Sequence, residues 1–303
     1  MATLQDWKNL IGKPFYKDYQ KTKKLIKKYS FDEFDGELYL QSNGILPSGE
    51  ILYQEVFVAL PKNIEKGKNY PAVAVPFYNY NGTLGMNVET GEKLNKTAIL
   101  YDLVKRGYIG ATGIAYHETY IPGKKEDGSE NIWDVVSTKL LNDNPDWTGM
   151  GKFINDTQRL LDILDEDERV DSNKLGLAGH SLGGKMAFYT ACLDDRVKAL
   201  LVSDFGLLWD QTNWDDKFYW GKKVFTLMKK GLTNVDLLKF YAPKPFCLIA
   251  GYYDDDNSVK SLYNMESYKD QRQSLFILNH ARGHKPPQYV LDAGYGFMDL
   301  FLK

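Results

Sequence analysis

Cysteine is scarce in this chain. Its 303 residues include two cysteines, Cys192 and Cys247, so they cannot form a disulfide framework. Both lie in apolar segments, FYTACLDD and PFCLIAG, which predicts buried free thiols and is consistent with a cytoplasmic location. A chain of this length buries enough surface to fold without cross-links or a structural metal.

Long apolar runs and an excess of one charge are also absent. No 18 consecutive residues are apolar and the start, MATLQDWKNL, has no signal-like apolar stretch, which argues against membrane spanning and secretion. With 38 Lys+Arg against 40 Asp+Glu, the net charge of −2 argues against a nucleic-acid partner. We interpret residues 4–29 as a helix broken at Pro14. Its wet face would carry five lysines: Lys21, Lys23, Lys24, Lys27 and Lys28.

The rest of the chain has the pattern of an α/β protein. ELYLQSNG and EILYQEVFVAL alternate apolar and polar residues around a turn, as an antiparallel pair does. Short apolar runs, typical of strands covered on both faces, then alternate with helical stretches. These runs span 71–76, 108–114, 174–179, 197–203, 245–251 and 274–278. We predict a mostly parallel sheet with an antiparallel N-terminal edge and helices on both faces.

The same pattern suggests how the chain is divided. Residues 1–36 would be a helical extension packed on the body, and residues 37–303 an α/β domain. Two connections, near 116–150 and 204–235, are longer than a compact crossover requires. Because both leave carboxyl ends of strands, where ligands bind in such sheets, they would shape a pocket.

One segment combines a buried strand, a Gly-rich turn and an apolar helix. It reads LGLAGHSLGGKMAFYTA and contains G-x-S-x-G, with Ser181 between Gly179 and Gly183. In such a turn the serine hydroxyl projects above the sheet edge, and the next backbone N–H, that of Leu182, begins a helix and suits an oxyanion.

A phosphate loop is the alternative interpretation of this segment. Gly179, Gly184 and Lys185 satisfy G-x-x-x-x-G-K, but Met186 stands where a magnesium-binding Ser or Thr is needed.

Through GHSLGG and the rhythm of strands and helices, the chain resembles the α/β-hydrolase superfamily. VDSNKLGLAGHSLGGKMAFYTACLDDRVKALL, with PAVAVPFY before it and NHARGHKPP after it, looks like the dienelactone hydrolase and acetyl xylan esterase-like branch. The resemblance covers most of residues 37–303.

A serine nucleophile needs a general base and an orienting carboxylate, which follow in the order Ser, acid, His in this fold. Asp254 matches the family position of the acid, with Asp255, Asp256 and Asp204 as rivals. His284 matches the family's histidine loop, and His280 is the second choice. A zinc pair of His280 and His284 is disfavoured because Gly283 and Pro286 argue against a helix there.

The loop after PAVAV would supply the second oxyanion donor, which is either the backbone N–H of Tyr78 or Asn79 or a tyrosine hydroxyl. For substrate contacts we predict an aromatic wall beside the serine, although the tryptophans could instead pack a short lid helix on the body. The predicted contacts are Phe77, Tyr80, His180, Trp209, Trp214 and Trp220. His117 and Glu118 could also line the pocket, but we interpret them as incidental.

The resemblance implies a serine esterase that forms an acyl-enzyme on a small-molecule ester, of an acetyl or sugar kind. We expect no cofactor and no metal, and a homo-oligomer is a further expectation. A lactone or C–C bond hydrolase with the same triad is the first alternative. A non-catalytic binding protein of the same fold is the second, since fold alone does not fix function. A nicotinamide oxidoreductase is disfavoured because Tyr101 and Lys105 form Y-x-x-x-K without a G-x-G-x-x-G.

Overall fold

The structure is a computed structural model that describes residues 2–12, 14, 19–46, 48–121, 132–268, 273–278 and 283–303. The strands are β1 Lys23–Ser30, β2 Phe34–Ile45, β3 Ile51–Pro61, β4 Tyr70–Ala74, β5 Ile109–Gly113, β6 Val170–His180, β7 Ala199–Ser203, β8 Phe246–Ile249 and β9 Ser274–Ile277. The helices are α1 Leu4–Ile11, α2 Tyr80–Leu84, α3 Ile99–Lys105, α4 Tyr116–Thr119, α5 Ile132–Asp143, α6 Gly149–Asp165, α7 Leu182–Leu193, α8 Lys223–Lys229, α9 Asn234–Leu238, α10 Asp256–Tyr263 and α11 Gln288–Leu302. A short 3₁₀ helix spans Glu266–Tyr268.

The strands of the described residues form one sheet in the order β1-β2-β3-β5-β4-β6-β7-β8-β9. The pairs from β1 to β3, and β3 with β5, are antiparallel, whereas β5-β4-β6-β7-β8-β9 are parallel neighbours. The predicted mostly parallel sheet with an antiparallel N-terminal edge is therefore confirmed.

Helices cover both faces of the sheet, and successive strand residues point into different cores. In β3, Val56 and Val58 join the core beneath α6 and α7, while Phe57 and Ala59 join the core beneath α3 and α11. This alternation follows from the period of two along a strand. It also explains why the strands are apolar on both faces.

The predicted helix over residues 4–29 is correct only at its start. α1 has a Thr3–Asp6 capping box and buries Trp7 and Ile11. Residues 23–30 instead form the edge strand β1, whose residues are almost all exposed. Four of the five lysines lie on this strand, and Lys21 precedes it. The interpretation of residues 1–36 as a helical extension is therefore wrong for its second half.

The parallel strands converge on the serine motif. β6 ends at His180 and α7 begins at Leu182, and the carboxyl ends of β4, β7 and β8 lie beside this turn. Side chains that follow these strands in sequence can therefore meet Ser181, as expected for a parallel sheet.

Candidate active site

Ser181 occupies a strained turn between β6 and α7. Its backbone has φ 55° and ψ −120°, a region that residues with side chains rarely adopt. A Cβ at Gly179 would lie 2.2 Å from Gly183 O, and a Cβ at Gly183 would lie 2.2 Å from Pro76 O. Only glycine fits at either position, which explains the pattern around the serine.

His284 lies between β9 and α11 and contacts the serine directly. Its Nε2 is 2.8 Å from Ser181 Oγ, and its Nδ1 is 2.6 Å from Asp204 Oδ2. The three side chains therefore form a hydrogen-bonded chain with the geometry of an activated nucleophile. His280, the second choice for the base, lies outside the described residues.

Asp204 follows β7 and is fully buried. Its Oδ1 accepts the backbone N–H groups of Tyr253 (2.5 Å) and Asp254 (3.0 Å). Burial opposes ionisation, but the hydrogen bonds from His284 and from the two N–H groups outweigh it and hold the pKa of Asp204 below its usual value. The carboxylate is thus fixed as an anion against the imidazole.

The choice of Asp254 as the acid partner of His284 is corrected by this geometry. The Asp254 carboxylate turns away from the histidine and accepts the N–H groups of Phe205 (2.8 Å), Gly206 (2.9 Å) and Leu207 (2.6 Å). Burial raises its pKa to about 6 against these hydrogen bonds. Asp254 therefore braces the loop that carries Asp204.

The other two rival aspartates serve the next helix. Asp255 is the N-cap of α10 and accepts the backbone N–H groups of Asn257 and Ser258, while Asp256 is the exposed first residue of that helix. Neither carboxylate pairs with His284.

Two cavities open onto Ser181. The first, of about 330 Å³, is walled by rings and contains Lys185; the rings are those of Tyr78, Trp133, Phe205, Phe218, Tyr219 and Tyr253. The second, of about 270 Å³, is lined by Phe77, Tyr78, His180 and His284, with Lys96 and Lys285 at its margin. Tyr78 borders both cavities.

The loop after β4 lies against the serine turn, as the contact between Pro76 and Gly183 shows. Leu182 is in the first turn of α7, where backbone N–H groups have no acceptor within the helix, and the Ser181 side chain does not cap it. Asn79 is differently engaged, because its side chain caps α2 and donates to Glu118 (3.3 Å). Leu182 and Tyr78 thus lie beside Ser181, and the Asn79 side chain borders another cavity. The choice of second donor, including the backbone N–H of Asn79, stays a prediction.

The predicted tryptophan wall is wrong in its members. Trp214 and Trp220 are buried and donate to Gly206 O and the Tyr189 hydroxyl, and Trp209 donates to Leu232 O. None of the three is among the residues that line the cavities at Ser181. They pack as the alternative expected, but on turns rather than on a lid helix: Trp209 and Trp214 hold the connection after β7 together, and Trp220 joins it to α7.

The three other predicted contacts differ in outcome. Phe77 and His180 do line the 270 Å³ cavity, and His180 Nδ1 lies 3.2 Å from Ser203 Oγ. Tyr80 donates to Glu55 (3.1 Å) and lines a separate cavity of about 870 Å³ instead. His117 is buried with its ring stacked 3.7 Å from Trp133, which places it behind the wall.

Sequence reasoning did not assign five of the wall rings or Lys185 to the pocket. The unassigned rings are those of Trp133, Phe205, Phe218, Tyr219 and Tyr253. Tyr253 directly precedes the candidate acid Asp254, and Lys185 directly follows GHSLGG. Trp133 lies in the long connection after β5, so connection length was the available signal for it.

Comparisons with known proteins agree with this architecture. A glucuronoyl esterase of Teredinibacter turnerae T7901 superposes with a TM-score of 0.67 at 18% identity, covering 99% of this chain and 86% of that one. An acetyl xylan esterase of Paenibacillus sp. R4 gives 0.64 at 15% identity, covering 94% and 90%. The chain has the α/β-hydrolase fold. No protein-family model matches it.

The chain is also similar in sequence to a bacterial protein. YtaP of Bacillus subtilis (strain 168), named only provisionally as a hydrolase, is 25% identical over 227 residues, or 71% of this chain and 72% of that protein.

Three further predictions concern the chain as a whole. Cys192 and Cys247 are buried free thiols, as predicted, while the cytoplasmic location and the homo-oligomeric state stay predictions. No helix among the described residues is long and apolar enough to cross a membrane. Within those same residues, no three His, Cys, Asp or Glu side chains are grouped as a metal site would need.

Proposed function

We propose that this protein is a serine hydrolase that cleaves carboxylic esters of small molecules. The observation that carries the proposal is the chain of hydrogen bonds from Ser181 Oγ through His284 to Asp204, at 2.8 and 2.6 Å. The likeness to proteins named as glucuronoyl and acetyl xylan esterases supports ester hydrolysis, including that of sugar esters.

In the proposed mechanism His284 acts first as a base. Its Nε2 takes the proton of Ser181 Oγ as that oxygen attacks the ester carbonyl carbon, and Asp204 stabilises the resulting imidazolium. When the tetrahedral intermediate collapses, His284 gives this proton to the departing alkoxide and leaves an acyl-enzyme. Water, activated by the same imidazole, then releases the acid and restores the serine.

The developing oxyanion would be held at the start of α7. The Leu182 N–H and a donor from the Phe77–Tyr78 segment are the candidates, because that segment packs against Gly183. One such donor is typically worth about 3 kcal/mol in the transition state.

The nucleophile is tested by labelling with a fluorophosphonate probe. We expect one equivalent of label on the wild type at Ser181, none on Ser181→Ala, and full labelling of Ser172→Ala, which removes an exposed serine. Hydrolysis of p-nitrophenyl acetate should fall about 10⁴-fold or more in Ser181→Ala. Absence of label on the folded wild type would contradict the proposal.

A further inference from the structure

Lys185 lies one helical turn after the nucleophile and shares its cavity. The Lys185 N–H donates to Ser181 O (3.0 Å), as the first turn of α7 requires. Its side chain lines the 330 Å³ cavity together with Ser181. A group attached close to the reacting carbonyl can therefore reach the Lys185 ammonium without leaving this cavity.

The buried ammonium group has only neutral partners. Lys185 is 3% exposed, and its Nζ contacts Thr212 Oγ1 (3.3 Å) and Asn213 Oδ1 (3.1 Å). The rings of Trp214 and Tyr219 lie beneath it, at 4.5 and 4.0 Å. Within the described part of the chain no carboxylate comes within ion-pair distance of it.

A second buried lysine, Lys152, provides a comparison, because its ammonium group has an ion-pair partner. Lys152 is equally inaccessible, but its Nζ lies 2.5 Å from Asp156 Oδ1. Buried charges are normally compensated in this way, because desolvation costs several kcal/mol per ion. Lys185 lacks that compensation and instead faces an open cavity.

The electrostatics at Lys185 favour the binding of an anion. Burial lowers its pKa to about 7, against the weaker attraction of Asp216 and Asp254. An anion bound at Nζ would favour the ammonium form and remove the cost of holding it there. A purely structural position of this kind would be better served by an apolar side chain of similar length.

The position of His284 indicates which half of the ester enters this cavity, because Ser181 borders both cavities and the buried Asp204 borders the one that contains Lys185. His284, which must protonate the leaving alcohol, lines the 270 Å³ cavity on the other side of Ser181. The alcohol therefore departs through that cavity, and the acyl group occupies the one that contains Lys185.

We propose that Lys185 forms an anion subsite for the acyl group, so that the preferred esters carry a free carboxylate on their acyl side. The aromatic rings around Nζ would exclude water and strengthen the attraction between the ammonium and the carboxylate. This inference rests on the proposed esterase function and names its substrate class.

A matched pair of esters tests the subsite. Monomethyl succinate ends its acyl chain in a carboxylate, where methyl butyrate has a methyl group. The hydrolysis of either ester can be followed by proton release at constant pH. We expect wild-type kcat/KM to be at least about tenfold higher for monomethyl succinate, mainly through KM. In Lys185→Met the ratio of the two kcat/KM values should fall to about one or below.

Lysines of the other cavity provide the control. Lys96→Met and Lys285→Met remove the ammonium groups at its margin, and each should keep the wild-type selectivity ratio. Loss of selectivity in these variants, but not in Lys185→Met, would overturn the assignment of the subsite.

A wild-type measurement keeps the test independent of the folding of any variant. Succinate should inhibit methyl butyrate hydrolysis competitively, with a Ki at least about fivefold below that of butyrate. Equal inhibition, or equal kcat/KM for the two esters, would overturn the anion subsite while leaving the esterase intact. Absence of hydrolysis of either ester, together with absence of serine labelling, would instead overturn the proposed function.

Discussion

Ser181 and Asp204 share a rare backbone conformation. Among the described residues, they are the two non-glycine positions with positive φ, at 55° and 48°. Such conformations cost on the order of 1–3 kcal/mol and persist where the surroundings fix them. Both residues belong to the hydrogen-bonded chain through His284, so the strain is concentrated where side-chain direction matters for chemistry.

The two candidate acids can be separated by kinetics. Asp204→Asn keeps the shape but removes the charge against His284 Nδ1, so we expect kcat to fall about 10³- to 10⁴-fold. Asp254→Asn leaves the Asp204–His284 pair in place, so its kcat should fall far less, by about tenfold or under. Hydrolysis of p-nitrophenyl acetate measures both, and an equal loss in the two variants would contradict the assignment of Asp204.

Ionisation of Asp254 should also contribute to the pH dependence of the free energy of unfolding. Burial raises its folded-state pKa from 3.8 to about 6, so the stabilising contribution of its protonated form is present at low pH and is lost as pH rises through 6. Asp254→Asn does not ionise. Wild type should therefore lose about 1 kcal/mol of stability between pH 5 and pH 7 that the variant does not lose. The difference in the free energy of unfolding, variant minus wild type, should rise by this amount.

Urea unfolding at the two pH values measures this change. A difference between variant and wild type that does not vary with pH would show that Asp254 does not titrate as expected.

Sequence could identify two of the three members of the hydrogen-bonded chain but not the third. Ser181 and His284 stand in local patterns, GHSLGG and ARGHKPP, whose backbone requirements are visible in the residues themselves. Asp204 and Asp254 both follow buried strands that are neighbours in the sheet. Which carboxylate meets the imidazole depends on the direction in which each loop leaves its strand, and no local pattern encodes that direction.

At the scale of elements, a buried polar cluster joins α6 to the antiparallel part of the sheet. Asp156 accepts hydrogen bonds from Lys152, from the Asn43 side chain (2.8 Å) and from the Tyr116 N–H (2.8 Å). Tyr116 begins α4, directly after β5 and close to the aromatic wall. The cluster therefore fixes one wall of the site from behind.

Breaking this cluster should be costly. Asp156→Ala leaves the Lys152 ammonium buried without its partner, so we expect the free energy of unfolding to fall by about 3–5 kcal/mol. The double variant Lys152→Met with Asp156→Ala should recover part of this loss. Denaturant unfolding gives both values, and an equal or larger loss in the double variant would argue against an uncompensated charge as the cause.

Elements with a buried face were predictable and the exposed edge was not. The six apolar runs after residue 70 are strands because packing on both sides demands apolar residues. β1 is almost wholly exposed, apart from Tyr29, whose ring packs against Phe57. Its lysine pairs at 23–24 and 27–28 repeat every four residues, which is also the spacing of a helix face. The prediction that the tryptophans near 209–220 form a pocket wall was wrong for a related reason. Clustering of aromatic residues in the sequence does not distinguish a pocket wall from a packed connection.

At the scale of the whole molecule, the N-terminal helix is part of the body. Trp7 is fully buried, and its ring meets that of Trp220 edge-on at 6.5 Å. Trp220 belongs to the connection that follows Asp204. The first residues of the chain therefore support the segment that bears the acid.

Removing this contact should affect stability more than catalysis. Trp7→Ala deletes a large buried ring, so we expect a loss of about 3–5 kcal/mol in the free energy of unfolding, with kcat/KM of the folded fraction within about threefold of wild type. Thermal unfolding and ester hydrolysis at low temperature measure the two quantities. A large loss of kcat without a loss of stability would contradict this role.

The lysine-rich strand β1 has a consequence for how these molecules meet one another. An open edge strand offers unpaired backbone groups to any other extended chain, which is a common route to aggregation. In β1, Lys23, Lys24, Lys27 and Lys28 are all exposed along that edge. Three of these ammonium groups pair with carboxylates: Lys23 with Glu166, Lys27 with Glu89 and Lys28 with Glu37. A second sheet approaching edge to edge would have to pass these charged side chains, so the lysines that suggested a helix instead disfavour fibrous association at this end of the sheet.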